Sequence, residues 1–139
     1  VEQLVTHLKE IDADVSPWDS AYTFSTNLYN NVFRGLKYLD EINDFPAIYI
    51  SCNNETRRYQ TSGLTEVSVR AALRCYIYSD DSRIDTLNLA KDVEHVIYNM
   101  INSPELRIMD IVIDEIVTDT GLLEPYGMVE VFLTISFEK

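Results

Sequence analysis

Cysteine, histidine, glycine and proline are all scarce in this chain of 139 residues, which has two, two, four and four of them. Two cysteines cannot build a disulfide framework. Cys75 sits in an apolar strand pattern and Cys52 just past another, so both read as reduced, partly buried thiols. The four glycines are scattered and form neither GxGxxG nor GxxxxGK followed by Ser or Thr, which removes the usual phosphate-cradling loops. No GxSxG elbow is present either. His7 and His95 fall on predicted helix surfaces without a ligand pattern around them, so neither a metal nor any other cofactor is expected. No apolar run approaches the roughly 20 residues of a membrane span, and a membrane is not an expected partner. The text opens at Val1 without a basic-then-apolar leader, so no secretion signal is expected.

Positive charge is short as well. Eleven Lys and Arg face 23 Asp and Glu, for a formal net charge of -12. Binding nucleic acid through its phosphates needs clustered cations, and this balance argues against such a role. What the chain does have is ordinary globular content, 46% hydrophobic and 24% charged. At this length the expectation is one domain, residues 1–139.

Val1, Leu4, Val5, Leu8 and Ile11 recur at helical spacing, which predicts an amphipathic helix over residues 1–12, ending before Pro17. Residues 18–43 lose clean periodicity but stay aromatic through Trp18, Tyr22, Phe24, Tyr29, Phe33 and Tyr38. Such a stretch is an extended arm lying across its own domain or across a neighbour. Phe45–Ser51 is a short apolar strand behind Pro46. Leu64–Ser79 alternates strictly, with Val67, Val69, Ala71, Leu73, Cys75 and Ile77 on one face and Glu66, Ser68, Arg70 and Arg74 on the other. Between these strands, residues 52–63 read as a long polar loop with Arg57 and Arg58 at its middle.

Ser82, with Asp85 three residues on, resembles a capping box and opens a helix to Ile101, whose apolar stripe is Leu87, Ala90, Val93, Ile97, Met100 and Ile101. Arg107–Thr118 is strand-like, but its alternation breaks midway, which predicts a bulge. Met128–Phe137 alternates again, after a turn containing Gly121, Pro125 and Gly127. The predicted class is α+β: helix, arm, then a ββαββ core over residues 45–137. Its single mixed, mainly antiparallel sheet has four to five strands, with helices packed on one face.

No catalytic set emerges, and the chain is not expected to be an enzyme. Asp110 and Asp114 share one strand face, as a metal-dependent hydrolase could present them, but a charged run of this kind is ordinarily a solvated sheet face. Arg57, Arg58, Arg70 and Arg74 are the only basic concentration. They serve either cross-strand ion pairing or docking to acidic subunits, including further copies of this chain.

Two runs carry a family resemblance. Asn30–Gly35 (NNVFRG) with Glu41–Tyr49 (EINDFPAIY), and later Ile116–Gly127 (IVTDTGLLEPYG) before an alternating final strand, resemble the tail terminator proteins of long-tailed bacteriophages, also called tail completion or head–tail joining proteins. The resemblance implies a structural virion protein that assembles as a homo-hexameric ring, caps the tail tube, stops its polymerisation and offers a joining surface to the head. Implied partners are the tube protein, a head-completion or neck protein and, in a contractile tail, the sheath protein. Genomic DNA would cross the lumen without specific binding, in keeping with the charge of about -72 that six copies carry. The implied location is the virion tail or neck, after assembly in the host cytoplasm. Tyr22, Phe24, Tyr29, Phe33, Arg34, Tyr38, Arg57, Arg58, Arg70 and Arg74 are the expected protein-interface residues. A head-closure or other neck adaptor is the alternative.

Overall fold

The structure, a computed structural model, describes residues 6, 8, 9, 31–35, 37–60, 63–101, 108–119 and 124–138. Along the chain lie β1 (Val32–Arg34), a short 3-10 turn (Leu39–Glu41), β2 (Ala47–Tyr59), β3 (Thr65–Tyr78), α1 (Ser82–Ile101), β4 (Ile108–Thr118) and β5 (Tyr126–Glu138). The strands form one open sheet in the order β1-β2-β3-β5-β4. β1 runs parallel to β2, and every other pairing is antiparallel. The α+β class and the mixed, mainly antiparallel sheet therefore match expectation. The fifth strand comes from the region read as arm, where Gly35, at φ +89°, ends β1 with its N–H on the Ile50 carbonyl.

β-branched and aromatic residues dominate β3 and β5, which pair along almost their full length from Glu66↔Glu138 to Tyr78↔Tyr126. One face of the sheet carries Ile48, Ile50, Ala71, Leu73, Cys75, Val129, Val131 and Leu133, all buried in a common cluster with Leu89, Val93, Val96, Ile97 and Met100 of α1. Thr6 and Leu8 are helical, Lys9 lies in a turn, and Leu8 is fully buried in the same cluster; the other residues of the predicted first helix lie outside the described residues.

Four details depart from expectation. Residues 52–59 are strand rather than loop: β2 continues to Tyr59 and pairs with β3 up to Tyr59↔Thr65, although every side chain from Cys52 to Tyr59 is exposed. Backbone pairing to β3 holds this stretch in place, so it shows no apolar period. On α1, Leu87 is exposed while Leu89 and Val96 are buried, so the inward stripe is rotated from the one read off the spacing. The helix start is organised by Ser79, whose hydroxyl donates to the Asp85 carboxylate and accepts from the Asp81 N–H; the buried Ser82 hydroxyl has no hydrogen bond among the described residues. Finally, the second sheet face is not simply solvated. Ile42, Ala47, Tyr49 and Tyr76 are buried there, with Leu39, Phe45 and Met128 packed on them.

The bulge expected in β4 is present, with register shifts at Ile108/Asp110 and Ile113/Glu115. β2 has its own between Cys52 and Asn54.

Candidate interaction surfaces

The face of the sheet away from α1 holds the chemistry singled out from the sequence. Where β2 and β4 both bulge, an open pocket of ≈ 450 Å³ forms over the middle of the sheet, bordered by Asn53, Asn54, Arg70, Asp114, Glu115, Phe132 and Thr134. The bulge in β4 turns both Asp114 and Glu115 towards it. The Thr134 hydroxyl donates to Asp114 Oδ2 at 2.6 Å. Among the described residues no group of three His, Cys, Asp or Glu side chains could hold a metal ion. His95 contacts the Asn99 amide along α1 at 2.9 Å, and His7 lies outside the described residues.

The arginines expected to act together are divided. Arg57 and Arg58 sit near the exposed tip of the β2–β3 hairpin, where Arg57 Nε donates to Glu55 Oε1 at 2.6 Å across 52% and 46% exposed side chains. An ion pair so open to water contributes about 0.2–1 kcal/mol. Arg70 is exposed beside the pocket. Arg74 is more enclosed, with Nη2 3.6 Å from Glu130 Oε1 on β5. Burial pulls its pKa down, but hydrogen bonding to Tyr76 and the charge of Glu130 outweigh that, and the net shift is upward. Arg74 thus carries an ion pair within its own sheet while staying partly exposed, and Arg57, Arg58 and Arg70 are exposed.

Of the expected aromatic interface residues, Tyr22, Phe24 and Tyr29 lie outside the described residues. Phe33 is 44% exposed and stacks on Tyr49, with ring centroids 5.4 Å apart. Arg34 is exposed at the end of β1, and Tyr38, 72% exposed, precedes the 3-10 turn. Tyr49 continues to Tyr76 at 6.2 Å, and the Tyr76 hydroxyl donates to the Lys37 carbonyl at 2.8 Å, which pins the 37–45 segment over this end of the sheet. Burial, then Tyr76 and Asp44, raise the Tyr49 pKa.

Sequence reasoning missed three aromatics at the end of the sheet. Phe45, Tyr78 and Tyr126 contact one another with centroids 5.0–6.1 Å apart, and Tyr78 and Tyr126 stay exposed. The signal was present: period two puts Tyr76 and Tyr78 on the same β3 face as Arg74.

The edges of the sheet matter as much as its faces. β1 covers β2 only from Ile48 to Ile50, so from Cys52 to Tyr59 β2 is an edge strand among the described residues. β4 forms the opposite edge.

Among the described residues the sheet is open and long-stranded, with β4 and the outer half of β2 as its edges. The profile of a family described as bacteriophage tail tube terminator protein matches residues 2–139. The chain belongs to that family. It is also similar to the tail tube terminator protein p142 of Escherichia phage T5, 27% identical over 127 residues that cover 83% of this chain and 79% of the relative. A terminator role gives a use to the exposed arginines and exposed aromatics of the described residues. It makes this chain a structural component of the virion tail, in contact with the tail tube.

Proposed function

We propose that the terminator assembles as a homo-hexameric ring that caps the last ring of the tail tube, stops its polymerisation and presents the joining surface to the head and neck. The observation that supports this reading is the placement of the two sheet edges that are unpaired among the described residues. The outer half of β2 and the whole of β4 lie on opposite sides of one sheet. Contact between copies through them is head-to-tail, and such contacts repeat until they close into a ring or run on as a filament. β4 runs antiparallel to β2, because β5 lies parallel to β2 and antiparallel to β4, so neighbouring copies with a common strand direction meet as an antiparallel pair.

Residues 1–139 act as one domain in this reading. Tyr22, Phe24, Tyr29, Phe33, Arg34, Tyr38, Arg57, Arg58, Arg70 and Arg74 supply subunit and tube contacts, and a sheath protein joins them if the tail is contractile. The net charge of -12 keeps the lumen free of DNA adhesion. The role involves no turnover, and assembly takes place in the host cytoplasm. Electron microscopy of virions carrying a labelled copy tests the reading. One labelled ring between tube and head is expected, and label along the tube wall or absent from virions contradicts it.

A further inference from the structure

The charges on the outer face of the sheet are sorted by strand. Cross-strand partners share a face, so the register puts Arg58 of β2 and Glu66, Arg70 and Arg74 of β3 on the side away from α1. Glu130 and Glu138 of β5 and Asp110 and Glu115 of β4 lie on the same side. Asp114 joins them, since it accepts from Thr134 there. Arg57 belongs to the opposite face, with Glu55.

Over the whole chain, cations are outnumbered 11 to 23. The β2–β3 side of the outer face inverts that balance, with Arg58, Arg70 and Arg74 against Glu66 alone. The β5–β4 side has Asp110, Asp114, Glu115, Glu130 and Glu138, and no cation among the described residues. Arg74 and Glu130 are used within the sheet. The side chains of Arg58, Arg70, Asp110 and Glu115 have no hydrogen bond or ion pair among the described residues.

These charges flank the two edges. From Asn54 to Tyr59, a run of roughly 20 Å, β2 has β3 on one side and no strand on the other among the described residues. β4 is likewise unpaired on its outer side, where Val112 and Val117 are 46% and 44% exposed on the face that carries the carboxylates. The outward N–H and C=O groups of such strands are a template for another strand.

We propose that a second copy of this chain lays its β4 along the β2 edge, continuing the sheet antiparallel across the joint, and that Arg58 and Arg70 of one copy against Asp110, Asp114 and Glu115 of the next select this pairing. The inference rests on the ring reading and adds to it the strands and side chains of the subunit contact. Strand spacing puts Arg58 roughly 5 Å and Arg70 roughly 10 Å from the incoming β4. Opposite charges at cross-strand positions attract, and like charges repel. β4 on β4 sets carboxylates against carboxylates, and β2 on β2 brings the two arginine-bearing halves together, so charge deters both. Only unlike edges match. Each copy then accepts one neighbour and donates to another, as a closed ring requires.

The test uses two full-length variants that each reverse one side, Arg58→Asp/Arg70→Asp and Asp110→Arg/Glu115→Arg, and a third with all four substitutions. All four side chains are exposed, and an unchanged melting curve admits each variant. Self-association is followed by sedimentation velocity, and by electron microscopy on purified terminator-free tail tubes. Wild type should form rings, and each two-site variant should associate at least tenfold more weakly. An equimolar mixture of the two, or the four-site variant alone, should recover association, because both arrangements restore unlike charges at every joint. Wild-type association by a two-site variant, or recovery by neither the mixture nor the four-site variant, overturns the inference and leaves the ring reading standing. A tube protein on the β2 edge gives that second result, since one terminator copy cannot then repair another. If wild type forms no ring in solution or on tubes, both fall. Hydrogen exchange of wild-type monomer and ring needs no variant: amides of residues 54–59 and 108–113 should gain protection in the ring, and equal protection in the two states overturns the inference.

Discussion

Gly127 of β5 lies so close beneath Thr86 of α1 that a Cβ on the glycine would run into the threonine hydroxyl, with the Ser82 carbonyl 3.2 Å away and the Ser82 Cβ 3.3 Å away. Thr86 is held there because its hydroxyl donates to the Ser82 carbonyl at 2.5 Å, and both residues are buried. The first turn of the helix is therefore seated on a strand that lacks a side chain at that point. Gly127→Ala lifts the helix off the sheet and should cost about 1–3 kcal/mol, the range for overpacking a tight contact. Chemical denaturation checks it: the midpoint should fall, and an unchanged midpoint would mean that Thr86 swings aside freely.

The orientation of α1 can be tested with two leucines. Leu89 is fully buried and Leu87 is 49% exposed. Leu89→Ala should cost about 2–5 kcal/mol through lost burial and a residual cavity. Leu87→Ala should stay within about 0.5 kcal/mol, as surface changes usually do. Equal losses in thermal melting would show that the helix face is misassigned.

The strands with one buried face were the easiest to read. β3 and β5 announce themselves because a slip of one residue would put Arg70 and Arg74 among Leu73 and Cys75. The helix start at Ser82 was read from Asp85 three residues on, and its end after Ile101 from Asn102, Ser103 and Pro104. The outer half of β2 was illegible because Asn53, Asn54, Glu55, Thr56, Arg57 and Arg58 bury neither face, and backbone pairing leaves no hydrophobic period in the text. Leu87 misled because Leu, Ala and Val at neighbouring positions allow two stripes, and only packing on the sheet selects one. The Phe45–Tyr78–Tyr126 contact was hidden for another reason: it joins three segments distant in sequence. Membership of the terminator family was legible from the runs around Phe33 and Pro125.

Cys75 gives a pH signature. Burial disfavours its thiolate and raises the pKa from 9.0 to about 12. The folded value lies above the unfolded one, so the stabilising effect is complete below pH 9 and is lost as pH rises from 9 towards 12. In that window each pH unit favours the unfolded chain by up to about 1.4 kcal/mol. The stability gap between wild type and Cys75→Ala should therefore shrink above pH 9, while the gap stays flat from pH 6 to 8. A thiol reagent at pH 8 should label exposed Cys52 and leave Cys75 untouched in the folded protein. Rapid labelling of both would contradict the buried assignment.

Arg57→Glu with Arg58→Glu reverses the cations at the hairpin tip. Both side chains are exposed, so thermal melting should hardly move. Attachment to purified tail tubes should weaken, mainly through a slower association rate. Binding that survives at wild-type strength removes the tip from the tube contact.

The central claim is that this chain closes a growing polymer by occupying its end. Purified terminator should be added to tail-tube subunits during elongation and tube length followed by electron microscopy. Tubes should stop lengthening at substoichiometric protein, each stopped end bearing one extra ring. Continued growth at the uninhibited rate, with the protein unbound or scattered along the tube wall, would contradict the account.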